Sequence, residues 1–133
     1  MNWHLDLFFR LAVIATGSLV AFMRAGLVSA RVARRIVVEG CCVIDLRDES
    51  QSKARMVPVG VSVPFSRIRV GDFARLPAKD RAFLLVSEHG KESAAARRLL
   101  RANGYTKVYD LGSYWRALSV FHKIYDYYGP TEE

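Results

Sequence analysis

Few side chains in this sequence are able to do covalent chemistry. Two cysteines, Cys41 and Cys42, stand side by side, and a serine, Ser87, closes an apolar run. A polar segment starts at that serine: Ser87, Glu88, His89, Gly90, Lys91, Glu92, Ser93. A cysteine attacks as its thiolate. A serine hydroxyl is too weakly acidic to attack without a neighbouring base, and no triad is evident around Ser87. The loop's other resource is its backbone N–H groups, which at the start of a helix form a nest for an anion. Adjacent cysteines rarely bridge, because the linkage strains the peptide between them, and strand alternation sends their side chains to opposite faces. Free thiols and a reducing compartment are therefore expected, not a disulfide scaffold. His4, His89 and His122 are scattered and read as surface or capping residues. No Cys, His, Asp and Glu set has zinc spacing, so neither a metal nor a cofactor is expected.

The elements that must position these groups alternate. Ser29 can cap a helix running through Glu39, with Gly40 ending it. Strands are expected at residues 42–46, at 59–63 (closed by Pro64), and at 82–86, which is apolar throughout as a central parallel strand should be. Residues 91–103 read as a helix with Ala94, Ala95, Leu99 and Ala102 on one face, stopped by Gly104. A further strand is expected at 106–111. A last helix runs from Tyr114 to about Tyr128, capped by Ser113, with the stripe Leu118, Phe121, Tyr125 and Tyr128. Strands alternating with helices predict an α/β fold, a parallel sheet with helices on both faces.

The 133 residues suffice for one domain with a real core, and the apolar fraction of 51% with 25% charged is globular. The net charge of +7 raises nucleic acid and anionic lipid as partners. Lys and Arg are spread from Arg10 to Lys123 with no basic stripe and interleaved aromatics, so a solvated basic surface is expected and nucleic acid is not.

Residues 5–23 differ from the rest: their only charges are Asp6 and Arg10. As a helix, these nineteen residues would be about 28 Å long, against a bilayer core of about 30 Å. The uninterrupted apolar part, residues 11–23, is thirteen residues long. A membrane anchor over residues 1–25 is the favoured reading, with Arg10 snorkelling and Trp3 at the interface. A secretory signal peptide with a poor cleavage site at residues 28–30, and a soluble helix packed on the domain or a partner, are the alternatives. Gly17 and Ala21 lie one turn apart, a small-residue face on which transmembrane helices approach closely. Arg24, Arg31, Arg34 and Arg35 follow the segment and none precedes it as far as Leu5, which retains the domain on the cytosolic or matrix side.

Two stretches carry a resemblance. Val43-Ile44-Asp45-Leu46-Arg47-Asp48 with Val57-Pro58-Val59-Gly60-Val61-Ser62-Val63-Pro64 resembles the strand ending in Asp-Val-Arg and the downstream His-Ile-Pro-Gly-Ala-Ile-Asn-Ile-Pro segment of the rhodanese family. Residues 84–118, LLVSEHGKESAAARRLLRANGYTKVYDLGSYWRAL, resemble the family's strand, its loop Cys-x-x-Gly-x-Arg-Ser, the helix after it, Gly-aromatic-x-x-Val-Tyr-x-Leu-Gly-Gly and a Trp. The likeness covers roughly residues 27–118 and implies a rhodanese-like domain over 26–118, with 119–133 as an aromatic helical extension and tail. Aligned on Gly90 and Ser93, Ser87 occupies the position of the catalytic cysteine and Glu92 that of the loop arginine. The resemblance then implies a vestigial loop. A hydroxyl cannot carry sulfane sulfur, Glu92 repels an anionic donor, and Lys91 is left as the one fixed positive charge of the segment. The phosphatase branch of the fold, which also needs the Cys and the Arg, is disfavoured for the same reasons. Upstream, Arg55-Met56 replaces the family's Gly-His, while the packing residues Val43, Ile44, Pro58, Leu84, Leu99, Val108 and Leu111 remain.

The expected function is a non-catalytic, membrane-anchored, rhodanese-like accessory or structural subunit of a larger complex, with the bilayer and integral membrane subunits as partners. In a eukaryote this suits the mitochondrial inner membrane with the domain in the matrix. In a bacterium it suits the inner membrane with the domain in the cytoplasm. The alternatives are a sulfurtransferase or sulfur carrier using Cys41 or Cys42, and an anion-sensing module using the loop N–H groups.

Overall fold

The structure, a computed structural model, describes residues 26–128. The anchor at residues 1–25, with Gly17 and Ala21, and the tail from residue 129 lie outside the described residues. No described helix is long and apolar enough to cross a membrane.

The elements are α1 (Ala30–Val38), β1 (Cys42–Asp45), α2 (Glu49–Ala54), β2 (Gly60–Ser62), α3 (Phe65–Arg69), β3 (Phe83–Ser87), α4 (Lys91–Ala102), β4 (Val108–Ser113) and α5 (Tyr114–Tyr128). The strands form one parallel sheet in the order β2-β1-β3-β4. β3 is central, and all five of its residues are buried. Its first four residues, 83–86, are an unbroken apolar run because helices cover both of its faces, and Ser87 closes it. Phe83 and Leu85 point to one side, with Ile44, Ile68 of α3 and Ala96 and Leu100 of α4. Leu84 and Val86 point to the other, with Val43, Ala33 of α1 and Ala117, Val120 and Phe121 of α5.

Local signals set the ends. Ser29 accepts the Val32 N–H at 3.2 Å and starts α1. Ser113 accepts the Arg116 N–H at 3.2 Å and starts α5. That helix has the expected bounds and continues through residue 118, with Val120 and Phe121 in the core, so Phe121 folds back on its own sheet. β4 runs two residues beyond its expected end, because its register against β3 slips between Leu85 and Val86 and a bulge carries Gly112 alongside Val86.

The face of α4 differs from expectation. Ser93, Ala96 and Leu100 are its buried residues, whereas Ala102 is exposed and Ala94, Ala95 and Leu99 are partly buried. The stripe begins on a serine, and apolarity alone does not find a polar residue whose hydroxyl is satisfied inside the fold. Two short helices also escaped the periodicity. α2 buries no residue and α3 buries one, so neither writes a stripe into the sequence.

Candidate functional site

In a parallel sheet the strands share an end, and loops gather at their C-terminal edge. Ser87 is the last residue of β3 there, beside Ser113 of β4. It is 1% exposed. Its Oγ accepts the N–H of Gly90 at 3.0 Å and of Ser93 at 3.1 Å. Ser93 lies in the first turn of α4, where N–H groups have no partner within the helix. Ser87 therefore caps α4 from outside it. Gly90, at φ +89°, makes the tight return, and a Cβ there would sit 3.5 Å from the Ser113 nitrogen. The Ser93 hydroxyl donates to the Gly90 carbonyl at 3.1 Å and lies 3.4 Å from the Gly112 carbonyl, which the β4 bulge brings in. Ser87, Gly90 and Ser93 are thus tied together by hydrogen bonds. His89, Lys91 and Glu92 point into solvent, and Glu88 is partly buried.

Glu88 turns toward a residue that the loop's own sequence does not reveal. Arg47, 3% exposed, lies just beyond β1 with its Nη1 3.6 Å from Glu88 Oε2. Its Nε and Nη2 donate to the Asp45 carboxylate, at 3.0 Å to Oδ1 and 2.8 Å to Oδ2, and its backbone N–H donates to Oδ1 at 3.1 Å. Ser52 Oγ donates to Oδ2 at 3.0 Å, and Arg47 Nη2 donates further to the Arg55 carbonyl. The guanidinium carbon lies 4.3 Å from the centroid of the Tyr114 ring, and that of Arg55 lies 5.8 Å from the ring of Trp115. Hydrogen bonding to Asp45 drives the Arg47 pKa further up. Arg47 is therefore a permanent cation, but its charge is met by two carboxylates. Lys91 is not the only cation near the loop. The one available signal was the Asp45-Leu46-Arg47 run at the strand end.

The thiols sit elsewhere. Cys42 pairs with Phe83, the first residue of β3, so both cysteines lie at the N-terminal edge, opposite Ser87. They point to opposite faces, Cys41 toward the α1 and α5 side and Cys42 toward the α3 and α4 side. Burial, then the neighbouring Cys42, pushes the Cys41 thiol up to about 12, and burial raises that of Cys42. At neutral pH neither is a thiolate to any useful extent. Among the described residues no group of His, Cys, Asp and Glu could hold a metal ion.

No family model and no curated protein matches the sequence. Solved structures do. The reduced CoADR-RHD protein of Bacillus anthracis aligns over 82% of this chain at TM-score 0.62 and 23% identity. The human single-domain sulfurtransferase TSTD1 aligns over 71% of it at TM-score 0.61 and 22% identity. The chain has the rhodanese-like fold. It spans 19% of the B. anthracis protein and 96% of the human one. An E. coli rhodanese with anions, matched over 56% of this chain and 88% of its own at 23% identity and TM-score 0.51, has the same rhodanese-like arrangement.

Proposed function

We propose that this chain is a non-catalytic rhodanese-like domain, tethered by residues 5–23, that serves as an accessory or structural subunit of a membrane complex. The observation that carries the reading is the hydrogen bonding of Ser87. A persulfide-forming loop aims its N–H groups at a thiolate. Here a neutral hydroxyl fills that place and accepts the N–H groups of Gly90 and Ser93. A hydroxyl neither ionises near neutral pH nor bonds to sulfane sulfur. Glu88 adds a carboxylate over Arg47, so an anionic donor meets no uncompensated charge there.

Two other readings have less support. A sulfurtransferase built on Cys41 or Cys42 would need thiolates at the wrong end of the sheet, and burial raises both thiols. An anion-sensing loop would need N–H groups of which two are already taken by Ser87. The tether rests on the sequence of residues 5–23 and their small-residue face at Gly17 and Ala21.

The test is the release of thiocyanate from thiosulfate and cyanide by the full chain. Release at the buffer background is expected, and turnover overturns the non-catalytic reading. Extraction of membranes with alkaline carbonate tests the tether: the chain should stay in the pellet, and its release would remove the anchor from the proposal.

A further inference from the structure

The charges of the domain are divided unevenly between the two sides of its sheet. α3, the segment after it and α4 pack on the side of Phe83 and Leu85, through Ile68, Phe73, Leu76, Ala96 and Leu100. From residue 65 to residue 79 and along α4 the chain holds eight Lys and Arg against two acidic residues, Asp72 and Glu92. Arg67 is paired with Asp72 at 3.2 Å. Arg97 turns inward and donates to the Val108 carbonyl at 3.3 Å. The other six basic residues, Arg69, Arg75, Lys79, Lys91, Arg98 and Arg101, are exposed, and of the two acids only Glu92 is.

The opposite side is mixed. Asp45 alternates with Ile44 and points there, and α2 meets it through Ser52. α1 and α2 expose Arg31, Arg35 and Lys53 together with Glu49, and the exposed Glu39 follows α1.

The make-up of the basic face says which polyanion it fits. Phe65 and Phe73 are partly buried and Tyr105 is buried. Among the described residues this face therefore offers no exposed ring on which a nucleic-acid base could stack. An anionic lipid surface needs none. It attracts each Lys and Arg brought within a Debye length, about 8 Å at physiological salt.

The entry of the chain sets the distance. Leu27 bridges Asp110, and the Val28 N–H donates to the Asp110 carbonyl at 2.9 Å, so the chain joins the domain along β4. A Cβ on Gly26 would lie 3.7 Å from Nη1 of Arg97, in the middle of α4. Residue 23, the last of the proposed tether, precedes Gly26 by three residues, which span at most about 11 Å. A bilayer reached from residue 23 is therefore close to α4.

We propose that the outer face of α3 and α4 binds the anionic lipid of the bilayer that holds residues 5–23. The inference rests on the tether of the proposed function.

The test is amine footprinting of the full chain in lipid nanodiscs, made of phosphatidylcholine alone or of equal parts phosphatidylcholine and phosphatidylglycerol. The reagent is an uncharged acylating agent, and mass spectrometry reads the rate at each lysine. Lys79 should react several-fold more slowly in the anionic discs, whereas Lys53, on the opposite side, should be unchanged. High salt should remove the difference. Arg98→Glu with Arg101→Glu should remove it too. Both side chains are exposed, so the fold should be retained, which far-UV circular dichroism checks. A chain that does not enter the neutral discs has no tether, and the proposal falls with it. A chain that enters them and shows equal Lys79 rates in both lipids keeps its tether and overturns the proposal. So does a Lys53 slowed as much as Lys79, or a folded charge-reversed variant that keeps the protection. Duplex DNA that slows Lys79 in neutral discs as much as the anionic lipid does would assign the face to nucleic acid and overturn the proposal as well.

Discussion

Ser87 accepts two backbone N–H groups, of Gly90 and Ser93, that α4 itself leaves without a partner. Ser87→Ala should therefore destabilise the domain by about 1–3 kcal/mol, the cost of stranding buried donors. Denaturant unfolding measures it, and an unchanged midpoint would mean that the hydroxyl is not the cap described. Val59 works in the opposite sense. Its φ of +53° costs a β-branched residue about 1–2 kcal/mol, of which the added chain entropy of glycine takes back part. Val59→Gly should stabilise by about 0.5–1 kcal/mol, and a loss of stability would argue against the positive φ. Cys41 gives a pH signature. Its thiol rises from an ordinary 9.0 to about 12, first through burial. The folded state thus favours the protonated form. That contribution is fully present below pH 9.0 and is lost as pH climbs toward about 12. At pH 8 a rise from 9.0 to about 12 lowers the thiolate fraction by about a thousandfold, so iodoacetamide should label Cys41 far more slowly than a free thiol. Labelling at the free-thiol rate would contradict the burial.

At the scale of elements, the strongly patterned segments were readable. The central strand announced itself through the apolar run at residues 82–86, one residue ahead of the strand observed, and α5 through its Ser113 cap and the buried Phe121. What sequence could not supply was any feature that rests on a pairing across the sheet. The β4 bulge exists only against β3, and the Ser93 hydroxyl is hidden only because that bulge delivers the Gly112 carbonyl. Hence the face of α4 was misplaced. The site divided in the same way. Ser87–Ser93 is contiguous and stood out, whereas the Arg47–Glu88 contact joins residues far apart in the chain. α5 yields its own prediction. Phe121 is 2% exposed in the core, so Phe121→Ala should cost about 3–5 kcal/mol. A near-neutral effect would mean that Phe121 does not pack in the core as described.

At the scale of the whole molecule, the proposed tether at residues 5–23 is followed by Arg24, Arg31, Arg34 and Arg35. Those arginines should keep the domain on the cytosolic or matrix side, as protease protection in sealed vesicles or mitoplasts would read. Digestion from the outer face would reverse the orientation. On the proposed role, Gly17→Leu with Ala21→Leu should release the chain from the proposed complex on native gels without extracting it from the membrane fraction. Unchanged co-migration would rule that face out as the joint. The central proposal, however, is that no residue of this domain accepts and carries a sulfane sulfur atom. Ser87 stands in the loop without a thiol, and Cys41 and Cys42 stand away from it with raised pKa values. The most direct measurement is the intact mass of the full chain after thiosulfate treatment, before and after cyanide. An unchanged mass is expected in both. A gain of one sulfur atom, mapped to Cys41 or Cys42 and discharged by cyanide, would contradict it.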